Sequence, residues 1–309
     1  MLYKSLNWKF TVSETLYPHV HQTAQHYFEL SDENRMIACS NDFWVPHPAA
    51  ERVISQIHFS MKMKNRIVAP CMIVAAAGGT GKSAMVNQLK ERNLYSDDKL
   101  IFVTMHQNPN NYSLRDLILI AMGLGVGKLA RQGGNITPQL QNRIKSQNIR
   151  GIVIDEVHDA LTLTPAQQSV NLSLLKNLSS DIYGLSVFAF GVEDAANVLR
   201  RDPQLERRYA VKHLASWENG AEFRSFVASY IHRLPLKKAT NLKDQILYLK
   251  IMDKGLGLTD NIVKILQSAA MAAVIDGSEH ITYSHIDNIE SIMEDFSFAL
   301  RAEDADAAA

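Results

Sequence analysis

The chain has 309 residues, which is enough for one large domain or two modest ones. It carries 32 basic and 32 acidic side chains, so the formal net charge is zero and any nucleic-acid binding must depend on a local basic patch. Two distant cysteines exclude a disulfide framework, and the lack of a membrane-length apolar run or a signal-peptide pattern leads us to expect a cytoplasmic protein with no membrane partner.

The N-terminal residues 1–40 have little periodicity and contain scattered aromatic side chains. We expect them to form an extension that could contact a partner rather than a separate core. The next segment contains Trp44 and leads to Pro48, which suits the first turn of a helix that runs to about Met63. Trp44 could stack near an adenine base, and a role as a core or interface aromatic is equally plausible.

Short apolar runs alternate with amphipathic segments in the central part of the chain. Such runs are typical of strands that are buried on both faces of a parallel sheet flanked by helices. We therefore predict an α/β nucleotide-binding subdomain over residues 41–215. Its five predicted strands are 71–75, 100–104, 151–154, 185–190 and about 210–214.

The strand pattern stops after about Trp217, and apolar residues then recur at helical spacing. We predict a small all-helical C-terminal subdomain over residues 216–300. Residues 301–309 are acidic and of low complexity, and we expect them to be a disordered tail without chemistry.

A glycine-rich loop with the sequence AAGGTGKS follows the first predicted strand, at residues 76–83. It matches the phosphate-binding pattern GxxxxGK[ST], except that Ala76 replaces the first glycine, and it lies between a strand and a helix as that pattern requires. The loop amides would cradle phosphate oxygens, Lys82 would reach the β- and γ-phosphates of ATP, and the Ser83 hydroxyl would bind Mg²⁺. The expected nucleotide-binding residues are Ala77, Gly78, Gly79, Thr80, Gly81, Lys82, Ser83 and Ala84, together with Trp44.

Two carboxylates, Asp155 and Glu156, follow the apolar residues of the third predicted strand. In a parallel sheet they would stand at the carboxyl edge, beside the phosphate loop. Asp155 could hold Mg²⁺, and Glu156 is placed to polarise a water that attacks the γ-phosphate. His158 follows two residues later, and we expect it to be structural.

Two adjacent arginines, Arg207 and Arg208, end an Asp-Pro-Gln-Leu-Glu-Arg-Arg segment just before the fifth predicted strand. An arginine at such a subunit edge can reach the γ-phosphate of a neighbouring subunit and stabilise transition-state charge. The sequence does not choose between the two arginines, and a surface salt bridge or a helix C-cap is the alternative role.

A basic glycine-rich segment between the second and third predicted strands contains Lys128 and Arg131. Two cations on such a loop suit sequence-independent contact with the phosphate backbone of DNA. A solvated loop without a ligand is about equally compatible with the sequence.

The order of these motifs resembles the TniB/TnsC family of AAA+ ATPases, which transposons encode beside a DDE transposase. The resemblance covers roughly residues 40–290. It depends on the loop with Trp44, the phosphate loop, the Ile154-Asp155-Glu156-Val157-His158 element, Phe190-Gly191, the segment 202–208, Trp217 and the later Leu234-Pro235-Leu236.

The resemblance implies a bacterial, DNA-associated protein that assembles with ATP into homo-oligomeric rings or filaments around double-stranded DNA, without sequence preference. It also implies recruitment by a TniQ-like target selector, activation of the DDE transposase, and disassembly on ATP hydrolysis. Carried over by position, Lys82 and Ser83 bind nucleotide and Mg²⁺, Asp155 and Glu156 serve hydrolysis, Arg207 or Arg208 acts in trans, and Lys128 and Arg131 contact DNA.

Two departures from the family pattern bear on the rate of hydrolysis. Val192 stands where relatives often carry threonine as a sensing residue, so this sensor is either missing or supplied by Glu193 or a neighbour. The segment 255–261 also lacks the arginine that usually senses nucleotide. Both fit a slow, regulatory ATPase. The alternative function is another AAA+ loader or switch with a protein client, such as a helicase loader or a phage or defence ATPase.

Overall fold

The computed structural model describes residues 16–105, 112–124, 138–161 and 163–300. The chain divides into two compact units, of which one is Pro46–Ser216 and the other combines Met1–Val45 with Trp217–Ala309. No helix among the described residues has the length and apolar character needed to cross a membrane. The tail expected over 301–309 lies outside the described residues.

The unit Pro46–Ser216 is built on five strands: β1 Cys71–Ala75, β2 Lys99–Thr104, β3 Ile149–Asp155, β4 Ser186–Gly191 and β5 Tyr209–His213. They form one sheet in the order β2-β3-β4-β1-β5, and every neighbouring pair is parallel. The prediction of a five-stranded parallel sheet flanked by helices is confirmed, with strand limits within two residues of the expected ones.

The helices begin largely where the sequence signals place them. In chain order, after a 3-10 helix Gln22–Glu29, they are α1 Asp32–Cys39, α2 Pro48–Lys62, α3 Lys82–Leu94, α4 Leu114–Ala121, α5 Pro138–Ser146, α6 His158–Leu161, α7 Pro165–Leu178, α8 Glu193–Arg200, α9 Pro203–Glu206, α10 Ala221–Ile231, α11 Gln245–Gly255, α12 Thr259–Ile275, α13 Tyr283–Asp287 and α14 Ile289–Asp295. Proline occupies the first turn of α2 and α7, where its missing N–H has no intrahelical partner in any case. Ser113 and Asp116 form a capping box that starts α4.

The sheet forms the core of this unit. Ile73 of β1, Ile152 of β3 and Phe188 of β4 are fully buried. The crossover helices of a parallel sheet cover both of its faces, which explains why these strands are almost continuously apolar. The loops that follow the strands all emerge at the carboxyl edge, where α/β proteins place their ligands.

The second unit is helical and has its own apolar core, contributed mainly by α10 to α14. Phe223 of α10, Ile251 of α11 and Ile265 of α12 are completely buried there. The indole Nε1 of Trp217 donates a hydrogen bond to the Thr259 hydroxyl at 3.0 Å. The helices of this unit therefore pack around an apolar core of their own.

Residues 16–45 belong to the same unit as the C-terminal helices. Arg35 of α1 is fully buried, and its guanidinium bonds both carboxylate oxygens of Glu279 at 2.5 and 2.7 Å. The ring of Phe43 stacks on that of Tyr230 with centroids 4.3 Å apart. Local periodicity could not reveal this grouping, because the partners lie about 200 residues away along the chain.

Candidate functional site

The loop that joins β1 to α3 forms a tight turn against the neighbouring strand. Gly79 and Gly81 have φ values of 77° and 95°, which L side chains rarely adopt, and Gly81 directly precedes the first residue of α3. The Thr80 hydroxyl donates to the Ala77 carbonyl at 2.8 Å. Ala76 is not among the residues with positive φ, so its backbone conformation does not require the glycine of the usual pattern.

Lys82 points its head group into this loop. Its side chain is buried, and Nζ donates hydrogen bonds to the carbonyl oxygens of Ala76 at 2.7 Å and Ala77 at 2.8 Å. The positive charge is therefore held at the N-terminus of α3, where the helix dipole also favours an anion. This arrangement fits a phosphate group.

Asp155 ends β3 with a carboxylate that is 8 % exposed. Burial raises the pKa of Asp155 and the charge of Glu156 raises it further, while the Glu156 backbone N–H and the charges of Lys82 and Lys90 oppose the change. Asp155 forms no ion pair with any described residue. A dry carboxylate without a partner cation is a suitable ligand for a divalent ion.

The donor set for such an ion is small. Within the described ranges, no group of three or more His, Cys, Asp or Glu residues could hold a metal ion by itself. Ser83 is exposed in the first turn of α3 and offers a hydroxyl oxygen. Mg²⁺ commonly takes one or two protein oxygens together with phosphate oxygens and water, so Ser83 and Asp155 fit that ion as ligands to a nucleotide complex.

Glu156 has a left-handed backbone with φ 52°, which costs a non-glycine residue on the order of 1 kcal/mol. Its Oε2 lies 3.1 Å from Nδ1 of His158, and Nε2 of the same imidazole lies 3.4 Å from the Asp159 carboxylate. His158 thus contacts the carboxylate that the sequence assigns to catalysis. Sequence reasoning treated His158 as structural, and the two-residue spacing after Asp155-Glu156 was the available signal.

Strand β4 lies between β1 and β3, and the backbone at its carboxyl end bonds both the phosphate loop and the residues that follow Glu156. The Phe190 carbonyl accepts a hydrogen bond from the Val157 N–H at 2.9 Å, and the Gly191 carbonyl accepts one from the Ala76 N–H at 3.0 Å. A Cβ at Gly191 would lie 2.9 Å from Cγ1 of Val157. Gly191 therefore has a packing role at the carboxyl edge, because a side chain at this position would displace Val157.

The position expected for a sensing residue is occupied by apolar Val192, which precedes α8 without a side-chain hydrogen bond. Glu193 follows, and its carboxylate contacts Nδ1 of His213 at 3.0 Å and Nη1 of Arg200 at 3.4 Å. The Glu193 carboxylate is thus paired with the last residue of β5 and with Arg200. A sensing role for Glu193 gains no support from these contacts.

The two arginines differ in their surroundings. Arg208 donates from Nη1 to the Lys176 carbonyl at 2.8 Å and to the Ser179 hydroxyl at 3.2 Å. The backbone N–H of Arg207 bonds the Leu205 carbonyl at the end of α9, while its side chain is exposed and makes no hydrogen bond or ion pair with any described residue. Of the pair, Arg207 is the one whose guanidinium is available to an outside ligand.

Both arginines stand at the amino edge of the sheet, away from the phosphate loop. They precede β5, whose Tyr209 pairs with Cys71 at the start of β1, whereas the loop follows Ala75 at the other end of that strand. Four steps along a strand span about 13 Å. The structure therefore brings Lys82, Asp155 and Glu156 to one edge and places Arg207 at the opposite edge.

The roles expected of the remaining residues stay predictions. Trp44 is half-buried and belongs to the helical unit, so its contact with adenine stays a prediction. Lys128 and Arg131 lie outside the described residues. Ala77 and Ala84 are exposed within the loop and the first turn of α3.

The sheet order, the loop after β1 and the carboxylates after β3 together have the arrangement of the AAA+ P-loop NTPase fold. Solved structures with that fold are similar to this chain. The ORC1 protein of Aeropyrum pernix, in complex with DNA, superposes with a TM-score of 0.56 at 14 % identity over 84 % of this chain and 69 % of that chain. Cdc6p from Pyrobaculum aerophilum gives 0.55 at 14 % identity over 86 % of both chains, and Drosophila ORC bound to DNA gives 0.56 at 14 % identity over 96 % of this chain and 71 % of that chain. Identities this low show the fold alone.

The family is shown by the sequence itself. The model of the bacterial TniB protein matches residues 35–219, which is more than half of the chain, and the chain belongs to the TniB family. No curated protein sequence matches it.

Proposed function

We propose that this protein binds and hydrolyses ATP with Mg²⁺ as a homo-oligomer on double-stranded DNA, and that it links a TniQ-like target selector to a DDE transposase. The observation that carries the proposal is that the expected catalytic residues lie at two opposite edges of the sheet. Lys82, Asp155 and Glu156 gather at the carboxyl edge of the sheet, while the exposed Arg207 stands at the amino edge. A complete ATPase site then requires two protomers.

Lys82 and the loop amides hold the β- and γ-phosphates, and Ser83 and Asp155 are the residues that would hold Mg²⁺. When bound, the ion neutralises phosphate charge and orients the γ-phosphate. Glu156 accepts a hydrogen bond from the attacking water and so aligns it with phosphorus. His158 lies beside this carboxylate, with its Nδ1 3.1 Å from Oε2 of Glu156.

Arg207 completes the site of the neighbouring protomer. Its guanidinium would stabilise the negative charge that builds on the transferred phosphoryl group, a contribution worth roughly 10³- to 10⁵-fold in rate for arginines of this kind. In its own chain the sheet stands between Arg207 and the loop. Hydrolysis is therefore coupled to assembly, and the absence of a polar side chain at Val192 favours a slow, regulatory rate.

The transposase and the target selector are proposed from the resemblance of the motifs to the TniB/TnsC family, and the chain belongs to the TniB family. The similar ORC structures from Aeropyrum pernix and Drosophila contain DNA, which is compatible with the same ligand class here. Lys128 and Arg131 are the proposed contacts to the DNA backbone.

The test combines the protein, a non-hydrolysable ATP analogue and duplex DNA of two lengths, followed by negative-stain electron microscopy. We expect assemblies whose length follows that of the DNA, and their loss in the double variant Lys128→Glu, Arg131→Glu. The matched control is the double variant Arg52→Glu, Lys62→Glu, which reverses two exposed charges on α2. Assemblies that ignore DNA would favour the alternative of a loader or switch with a protein client.

A further inference from the structure

A single residue, Lys176 in the last turn of α7, contacts both ends of the segment 202–208. Its Nζ contacts the Asp202 carboxylate at 2.5 Å, and its backbone carbonyl accepts a hydrogen bond from Nη1 of Arg208 at 2.8 Å. Arg207 is the residue next to the second of these anchors.

The first anchor also starts a helix. The Asp202 carboxylate accepts hydrogen bonds from the N–H groups of Gln204 at 3.0 Å and Leu205 at 3.2 Å, which caps α9. Burial acts to raise the pKa of Asp202, but the hydrogen bonds from Lys176, Leu205 and Gln204 lower it below its usual value. The carboxylate is thus held ionised between a lysine and a helix N-terminus.

The second anchor is joined to the strand that leads to the phosphate loop. Arg208 also bonds the hydroxyl of Ser179, which caps the C-terminus of α7, where a cation is favoured. The Ser179 carbonyl accepts from the Ala69 N–H at 2.9 Å, and the Arg208 carbonyl accepts from the Cys71 N–H at 3.3 Å. The backbone on the C-terminal side of Arg207 is therefore tied to the start of β1.

Both ends of the segment and its buried Leu205 are fixed, while the Arg207 side chain extends from it without a partner among the described residues. We infer that Lys176, Asp202 and Arg208 form a positioning bracket that aims Arg207 at the nucleotide of the next protomer. The three residues touch neither substrate nor reacting atoms and act through Arg207. This inference rests on the proposed function, because it requires that Arg207 work in trans.

The experiment measures steady-state ATPase on saturating duplex DNA for Lys176→Met, Lys176→Arg, Arg207→Ala and the double variant Lys176→Met, Arg207→Ala. The methionine side chain removes the contact to Asp202 and leaves the Lys176 carbonyl in place. We expect Lys176→Met to lower kcat about 10-fold with KM nearly unchanged, since a displacement of about 1 Å at a catalytic group can cost up to about 100-fold. Lys176→Arg should restore most of the rate, because the longer cation can still reach Asp202.

The double variant separates positioning from general support of the fold. If the bracket acts through Arg207, Lys176→Met causes no further loss of kcat in a protein that already carries Arg207→Ala. If Lys176 has a purely structural role, Lys176→Met lowers kcat by the same factor in the parent and in Arg207→Ala, and this result overturns the inference. Lys62→Met, in the last turn of α2, is the matched control and should retain the parental rate.

Different results would overturn the trans role of Arg207 and the bracket. If Arg207→Ala keeps the parental kcat, the trans arginine of the proposed function is wrong. If Arg207→Ala loses activity while Lys176→Met keeps it, the trans arginine stands and the bracket is wrong.

Discussion

The ammonium of Lys82 donates a hydrogen bond to the carbonyl oxygen of Ala76 at 2.7 Å, so the two ends of the phosphate loop are joined through one side chain. A second bond from the same Nζ reaches Ala77 at 2.8 Å. These carbonyls satisfy a buried charge that would otherwise be costly. A phosphate that binds here offers the same ammonium a charge-assisted partner.

Replacement of Lys82 should therefore remove nucleotide binding rather than only hydrolysis. We expect Lys82→Ala to weaken the binding of a fluorescent ATP analogue with Mg²⁺ about 100-fold, which corresponds to the roughly 3 kcal/mol of a strong hydrogen bond to a charged group. Lys62→Ala on the exposed end of α2 is the control. Binding by Lys82→Ala within about twofold of the parent would place the nucleotide elsewhere.

Glu156→Gln should separate binding from hydrolysis. The amide keeps the size of the side chain but is a poor acceptor for a proton from water, so we expect kcat to fall at least about 100-fold while the affinity for ATP is retained. The variant should accumulate ATP-bound assemblies on DNA, visible by negative-stain microscopy. Asp159→Asn, which alters the other carboxylate that contacts His158, is the control and should hydrolyse ATP at nearly the parental rate.

Gly191→Ala tests the role of β4 in holding the two loops. The added Cβ would lie 2.9 Å from Cγ1 of Val157, so the residues that follow Glu156 must move. We expect kcat to fall about 10-fold with a smaller change in nucleotide affinity. The double variant Gly191→Ala, Val157→Ala removes the opposing methyl and should recover most of the rate. A parental rate in the single variant, or no recovery in the double, contradicts this explanation.

Arg35→Met should destabilise the helical unit, because it leaves the nearly buried carboxylate of Glu279 without its main partner. Removal of one member of a buried pair costs about 3–5 kcal/mol. The additional change Glu279→Gln should recover about half of this loss, since no buried charge then remains. Urea unfolding followed by tryptophan fluorescence measures the effect, and equal stability of Arg35→Met and the parent would contradict it.

The same ion pair predicts a dependence on pH. Burial acts to raise the pKa of Glu279, but hydrogen bonds from Arg35 and from the Lys237 N–H lower it below the ordinary value of 4.5. The stability contributed by the ionised carboxylate is therefore present above pH 4.5 and is lost as the pH falls through the lower folded-state value. The difference between the parent and Glu279→Gln should stay constant between about pH 6 and 8 and shrink below about 4.5. A difference that grows on acidification would contradict the sign.

The sheet and the phosphate loop were predictable because each depends on local pattern. A continuous apolar run specifies a buried strand, and glycines at positions such as Gly79 and Gly81 specify a turn with positive φ. The same reasoning located Asp155 and Glu156, since residues after parallel strands share one edge of the sheet.

What the sequence did not predict depends on contacts between distant segments. The burial of Arg35 against Glu279 and the grip of Lys176 on Asp202 join residues that no short-range pattern connects. The choice between Arg207 and Arg208 also required the structure, because only the surroundings of each guanidinium distinguish two identical neighbours. Periodicity gives the face of an element, but it does not give the partner of a side chain.

The central claim is that one protomer completes the ATPase site of another, and mixing two inactive variants tests it most directly. Arg207→Ala keeps Glu156 in its own site, and Glu156→Gln keeps an intact Arg207 to offer to a neighbour. Equal amounts of the two should regain up to about a quarter of the parental ATPase rate on DNA, because random assembly places a functional pair at about one interface in four. A mixture that assembles and binds ATP yet shows no more activity than the two variants measured apart would contradict the account.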